Sequence, residues 1–245
     1  MIVEMTEEKS RRSQEANHSP GRSKSKRLLR AFAIMGFFIA ALFLPAGRLD
    51  WWAGWAFLIA FFDSTIILTL WMRRRDPALM DERSQTGENV KAWDKAIMGI
   101  YTVLLFGMLA AAGLDAGRFG LPDMPVGLRV LGWLGLLAAF GLVWWVMASN
   151  PFLSRMVRIQ DERGQVVVTS GPYNYVRHPM YVGTITAMIC IPLVLGSYWA
   201  LIPAVMIDIL FVVRTAMEDR TLMEELPGYR EYAARVRCRL LPGIW

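Results

Sequence analysis

The stretch "WWAGWAFLIAFFDSTIILTLWMRRR", Trp51–Arg75, decides the class of fold. Its first 22 residues carry one charged side chain, Asp63, and three consecutive arginines then close it. Twenty-two residues of α-helix rise about 33 Å, enough to cross a hydrocarbon core about 30 Å thick. The segment reads as a membrane span stopped by an interfacial basic cluster.

Similar runs lie on either side. Leu28–Leu44 ends at Pro45 and Gly47, and two more cover Ala96–Leu114 and Val126–Ala148. A last apolar stretch, Tyr181–Val213, is interrupted by "GSYW" at Gly196–Trp199 and reads as a helical hairpin with a tight turn. With 55% hydrophobic residues and a mean hydropathy of +0.34, the chain is too apolar for an ordinary soluble domain. We expect an all-α, polytopic integral membrane protein with five to six transmembrane helices, the last two forming the hairpin.

The net charge of +6 raises the question of nucleic acid, but the basic residues form no single stripe. They fill the gaps between apolar runs, which is the pattern that orients membrane proteins. With the N-terminus inside and six crossings, the inner segments are 1–30, 73–95, 150–180 and 214–245. These hold 24 of the 27 lysines and arginines, against Arg48, Arg118 and Arg129 outside. The bias predicts that both termini are cytoplasmic and that the partners are membrane lipids rather than nucleic acid.

Residues 1–27 are polar, lack core patterning and are expected to be a disordered basic cytoplasmic tail. They carry no A-x-A-like cleavage site, so they are not read as a secretory signal. His18 in this tail reads as a solvated residue. Cys190 in an apolar run and Cys238 in the basic tail make neither a disulfide framework nor a zinc site, and no metal is expected. Asp63 and Asp208 lie within apolar runs, where an acid is a functional candidate by default, although interfacial placement or a helix–helix bond explains each more simply. No Walker loop, dinucleotide-binding glycine motif or nucleophile elbow occurs.

The chemistry-bearing segment is "SGPYNYVRHPMYVG", Ser170–Gly183, which sets Arg177, His178 and Pro179 at the mouth of the hairpin. A second segment follows the hairpin: "RTAMEDRTLMEELPGYREYAARVRCRLLPGIW", Arg214–Trp245. Together they resemble the R-H-P-x-Y signature and the later acidic pair of the isoprenylcysteine carboxyl methyltransferase family and its phospholipid methyltransferase relatives. The family usually shows Glu-Glu where this chain has Glu218 and Asp219. The resemblance covers roughly residues 128–245. It divides the chain into the tail, N-terminal transmembrane helices over 28–127 and a methyltransferase core over 128–245 with a cytoplasmic C-terminal cofactor-binding region.

The resemblance implies an S-adenosylmethionine-dependent methyltransferase acting on a lipophilic acceptor. It implies cofactor contacts from Gln160, Gln165, Val166, Val167, Val168, Tyr173, His178, Pro179, Met180, Tyr181 and Glu218. Arg214 would face the methyl acceptor, so Arg214 and Glu218 are the catalytic candidates. The length of the segment before "TSG" varies in the family, which bears most on Gln160.

These residue types suit that chemistry. His178 can hydrogen-bond adenine or ribose through either ring nitrogen. Pro179 fits the first turn of the helix that follows, and Gly171-Pro172 reads as a turn out of the strand-like "QVVVTS". Tyr173 and Tyr181 can pack on the adenosine or approach the sulfonium by a cation–π contact. Glu218 can bond the ribose hydroxyls or the cofactor's amino group. A carboxylate acceptor needs no base and would be oriented by Arg214; an amine acceptor would give its proton to Glu218 or Asp219. Taken singly, Arg214 reads as a snorkelling anchor, Glu218–Glu225 as a solvated helix face, Arg177 as a headgroup or backbone anchor, and Tyr229 and Tyr232 as packing residues. Two other functions stay open at this point. One is an NADPH-dependent membrane reductase of the sterol-reductase type, and the other is a non-catalytic lipid-binding membrane protein.

Overall fold

A computed structural model describes residues 20–84, 90–120, 123–243 and 245. The chain divides into two compact units, up to Ala40 and from Ala41 onwards. In chain order the helices are α1 (Pro20–Ala46), α2 (Trp52–Arg75), α3 (Pro77–Ser84), α4 (Ala92–Ala112), α5 (Val126–Ser149), α6 (Pro179–Leu195), α7 (Leu201–Glu225) and α8 (Tyr229–Arg235). A π-helical turn, Gly113–Phe119, prolongs α4. No strand occurs among the described residues, and the stretch read as strand-like, 165–170, forms none. The protein is an all-helical, multi-pass membrane protein. α1 begins at Pro20, inside the segment expected to be a tail, while residues 1–19, with His18, lie outside the described residues.

Four helical segments are long and apolar enough to cross a membrane: Leu29–Ala46, Trp52–Arg75, Ala92–Phe119 and Val126–Ser149. They correspond to the four long runs of the sequence. Large apolar side chains on their outer faces, such as Ile59, Val103, Leu134 and Leu137, are exposed, as lipid-facing residues are. α6 is apolar but has 17 residues, about 25 Å of helix.

Within the second unit, α5 packs along α6, α4 along α7, and α6 against α7. The closeness of α5 and α6 depends on Gly132. A Cβ there would stand 2.7 Å from Leu193 Cβ and 3.0 Å from the backbone nitrogen of Val194.

The hairpin turn follows from Gly196. Its φ of 77° suits glycine, and it closes a Schellman motif in which Gly196 N–H donates to Leu193 O (3.2 Å) and Ser197 N–H to Pro192 O (2.9 Å). Asp115, in the π turn, holds this hairpin tip. Its Oδ2 accepts from Ser197 Oγ at 2.7 Å and from Trp199 N–H at 3.1 Å. The hairpin therefore runs alongside the third span and meets its far end.

Replacing Gly132 by alanine is expected to force α5 and α6 apart and cost about 1–3 kcal/mol. This should read as a lower midpoint of thermal unfolding in detergent. Gly141→Ala, on the same helix with nothing within 4 Å of the added carbon, is the control and should leave the midpoint unchanged or raise it.

Candidate functional site

The candidate site lies at the end of the hairpin away from Asp115. Five pieces of chain meet there: α3 through Arg83, α4 through Met98 and Tyr101, the irregular segment between α5 and α6, the start of α6, and the polar half of α7 with α8 behind it. They enclose a cavity of about 330 Å³, within the range of small-molecule sites.

The start of α6 is set by proline and by an arginine–aspartate pair. Pro179 occupies the first helical turn with His178 before it. Arg177 N–H and His178 N–H donate to the carbonyls of Cys238 (3.0 Å) and Arg239 (2.9 Å), so the RHP segment is tied to the C-terminal segment through its backbone. Arg177 Nη1 adds bonds to the carbonyls of Val236 and Arg237. Its Nε and Nη2 each lie 2.8 Å from an oxygen of Asp219.

Asp219 is 1% exposed and is the hub of this end of the molecule. Besides the Arg177 fork it accepts from Arg239 Nε at 2.8 Å and from the Tyr229 hydroxyl at 2.9 Å, and His178 Nε2 stands 3.2 Å away. Burial alone would raise the Asp219 carboxyl, but the hydrogen bonds from His178, Arg177 and Arg239 outweigh it and hold the group well below the usual carboxylate range. Burial and the neighbouring Asp219 charge push the Tyr229 phenol up, so it stays a neutral donor. Asp219 is thus ionised and fully engaged, which removes it as a base.

Arg214 occupies a second buried pair. It is 5% exposed, and Asp94, on the first turn of α4, is 0% exposed. Arg214 Nε donates to Asp94 Oδ1 at 2.7 Å and Nη2 to Oδ2 at 3.0 Å. The snorkelling geometry considered for an isolated arginine is not what the structure places here. Glu218, one helical turn on, is half-buried and accepts from the Tyr181 hydroxyl. The Tyr181 ring is stacked on the His178 ring, with centroids 5.7 Å apart and planes 10° apart.

Of the residues expected in the site, Gln165, Val166, Val167, Val168, Tyr173, His178, Pro179, Met180, Tyr181, Arg214 and Glu218 line this one cavity. Gln160 does not. Its side chain is buried within the loop, where Nε2 donates to Phe152 O and Oε1 accepts from Arg163 Nη1 at 2.7 Å. Gln160 shapes the segment that carries Gln165, whose Oε1 accepts from Gln160 N–H at 2.8 Å. Asp63 is exposed on α2, and neither it nor Asp208 lines the cavity.

Sequence reasoning missed Asp94, and it missed Arg83, Asn150, Arg155 and Arg158 on the cavity wall. Asp94 sits between a polar loop and an apolar run, and nothing local distinguishes it from an ordinary helix-start acid. Arg177, read as an anchor, is one, but it anchors Asp219 and the backbone of the C-terminal segment rather than a headgroup. Tyr229 and Tyr232 combine packing with wall positions, Tyr232 donating to Tyr173 O at 2.8 Å.

The lining is markedly cationic. Arginines 83, 155, 158, 177 and 214 meet it, while among the described residues Glu218 is its one acidic residue. No backbone hydrogen bond joins Val166, Val167 or Val168 to any described residue, and all three line the cavity.

Residues 131–224 match the model of the isoprenylcysteine carboxyl methyltransferase (ICMT) family. Over this segment the chain resembles the ICMT family. The match takes in the RHP segment, Arg214, Glu218 and Asp219, and stops before α8 and the C-terminal segment. The chain is also 31% identical over 149 residues to the cobalt-zinc-cadmium resistance protein CzcN of Cupriavidus metallidurans. That alignment covers 56% of this chain and 60% of the relative, so the chain spans less than two thirds of the curated protein it matches. The helical spans agree with a multi-pass membrane protein.

The hub makes a prediction about stability. Asp219→Asn leaves the buried Arg177 without its counter-charge and is expected to cost about 3–5 kcal/mol. The folded carboxyl titrates below the ~3.9 of an unfolded aspartate. Its stabilisation is therefore complete above that value and fades as the pH falls below it. The unfolding midpoint of the parent should drop on acidification from pH 5 to pH 3, and that of Asp219→Asn should drop less.

Proposed function

We propose that this protein is an S-adenosylmethionine-dependent methyltransferase that modifies a lipophilic acceptor at the cytoplasmic face of a membrane. One observation carries the reading. Residues drawn from an irregular segment, the RHP turn and the polar half of α7 converge on a single cavity, and they are the residues the family signature nominates.

The cavity suits that cofactor. The backbone of Val166–Val168, which lines it, offers donors and acceptors to a flat heterocycle. Glu218 supplies a carboxylate for ribose hydroxyls or an ammonium group. The cationic wall around Arg155 and Arg158 suits a carboxylate, and the rings of Tyr173 and Tyr181 suit the sulfonium. When bound, S-adenosylmethionine supplies an electrophilic methyl carbon that an acceptor's lone pair takes as the bond to sulfur breaks.

The protein's own contribution is position. His178 is held by Asp219, Tyr181 is held between His178 and Glu218, and Arg214 stands one helical turn from Glu218 on the same face of α7. An anionic acceptor would be oriented by Arg214 and needs no base. A neutral amine or thiol would release its proton to Glu218, since Asp219 is saturated with donors.

The topology that serves this chemistry has six crossings with both termini cytoplasmic. The four long spans are completed by the α6–α7 hairpin, whose tip bonds Asp115 at one end of the third span while Arg214 bonds Asp94 at the other. The basic residues cluster at the cavity end, as an inward-facing end requires. On this reading 28–127 supply the N-terminal membrane helices and 128–245 the methyltransferase core.

S-adenosylhomocysteine should raise the unfolding midpoint of the purified protein, and NADPH should not. Calorimetry should then show that His178→Ala and Glu218→Gln each weaken S-adenosylhomocysteine binding roughly tenfold or more, the loss of one hydrogen bond to a charged group. Stabilisation by NADPH alone would replace the methyltransferase reading with a reductase. A reporter fused after Trp245 should read cytoplasmic; a signal from the opposite side would overturn the six-crossing topology.

A further inference from the structure

Asp94 belongs to the third membrane span, outside the family-matched segment, and does not line the cavity. It nevertheless controls a residue that does. Its Oδ1 takes Arg214 Nε, and its Oδ2 takes both Arg214 Nη2 and the backbone N–H of Val157, the latter at 2.7 Å. Arg214 Nη2 also donates to Arg155 O at 3.0 Å. Nearby, Lys91 N–H donates to Val157 O at 3.2 Å, and Lys91 Nζ pairs with Glu225 at 2.7 Å. The start of α4 thereby grips both the loop over the cavity and the polar half of α7.

The consequence for Arg214 is geometric. A bidentate fork fixes the plane of a guanidinium, and it does so through two nitrogens only. Nε and Nη2 are engaged, whereas Nη1 makes no hydrogen bond to any described residue. The Arg214 Cζ lies 5.3 Å from the Tyr181 ring centroid and 5.8 Å from that of Phe211, so both rings flank the guanidinium.

We infer that Asp94 is the positioning residue for Arg214, fixing its guanidinium so that Nη1 is presented to the methyl acceptor while the 155–157 loop is held over the same cavity. The inference rests on the methyltransferase reading and adds to it a residue that touches neither cofactor nor acceptor. A mere staple between helices would differ in its behaviour. Its loss would damage cofactor binding and turnover together, whereas a positioner acts through the arginine alone.

The test compares Asp94→Asn, Arg214→Gln and the double variant with the parent in detergent. Cofactor binding is read as the shift in unfolding midpoint with S-adenosylhomocysteine. Turnover is read as transfer of labelled methyl from S-adenosylmethionine to two acceptor probes, a total membrane lipid extract and a farnesylcysteine analogue. Asp94→Asn is expected to keep its S-adenosylhomocysteine shift and to lose roughly 10- to 100-fold in kcat. Adding Asp94→Asn to Arg214→Gln should change kcat less than twofold, because the two residues act as one unit. Asp94→Glu should recover part of the rate.

Parent-like kcat in Asp94→Asn overturns the proposal. So does loss of the S-adenosylhomocysteine shift in step with turnover, or additive losses in the double variant. If the single variant does not fold, because Arg214 is left buried and uncompensated, the comparison of Arg214→Gln with the double variant decides the matter. A parent that neither binds S-adenosylhomocysteine nor methylates either probe overturns the methyltransferase reading and this inference with it. Failure of Asp94 alone leaves that reading standing.

Discussion

The carboxylate of Asp219 is the interaction on which the cavity end of this protein depends. Burying an ionised carboxylate costs several kcal/mol unless donors surround it. Here Arg177, Arg239, Tyr229 and His178 do so, and they come from the entry to α6, the C-terminal segment and α8. Each donor is itself held elsewhere. Arg177 reaches the carbonyls of Val236 and Arg237, and Arg239 lies over the Trp245 ring at 4.9 Å. The network also fixes His178. An ionised carboxylate only accepts, so the proton facing it belongs to Nε2, and the other ring nitrogen is left for the cavity.

A second buried pair, Asp94 with Arg214, works in parallel from the opposite wall. The two pairs share a logic: in each, a fully buried aspartate behind the cavity takes up part of an arginine that lines it. The result is a cavity rich in cations whose strongest charges are oriented rather than loose. Glu218 is the acid left on the wall, and the Tyr181 hydroxyl holds it in place. Oriented charges of this kind contribute to rate because they need little rearrangement as the reaction proceeds.

Much of this was legible in the sequence, and the reasons differ from part to part. The four long spans follow from uninterrupted apolar runs, since length and hydropathy are local properties. The hairpin follows from Gly196, where positive φ and a turn coincide with a break in the run. The cavity residues follow from motif order, and all but Gln160 reach the wall. Gln160 lies in a segment whose path is set by its own internal bonds to Phe152 and Arg163, and no periodicity encodes such a path. Asp94 was illegible for another reason. Its partner is 120 residues away, and only the packing of α4 along α7 makes them neighbours. Asp63 and Asp208 drew attention because they interrupt apolar runs. Asp94 drew none because it stands at the edge of one, where acids are ordinary.

The course of α7 ties the membrane to the cavity. Its first half exposes Ile202, Val205, Met206 and Ile209, with Val212 and Val213 exposed just before the buried Arg214. Within about a turn and a half the same helix carries Glu218 and Asp219. On the six-crossing reading, a helix that exposes apolar side chains up to Val213 and is polar beyond it puts the boundary between hydrocarbon and water at the arginine. A molecule with an apolar tail and a reactive polar end can keep its tail along the exposed face while the polar end meets Arg214, with no need to leave the bilayer. On the methyltransferase reading, a polar cofactor would reach the cavity from the side of residues 166–168, which line it. The hairpin thus does more than complete the membrane domain. Its tip is held by Asp115 and its polar end by Asp94, which on the same reading sets the height at which the two reactants would meet.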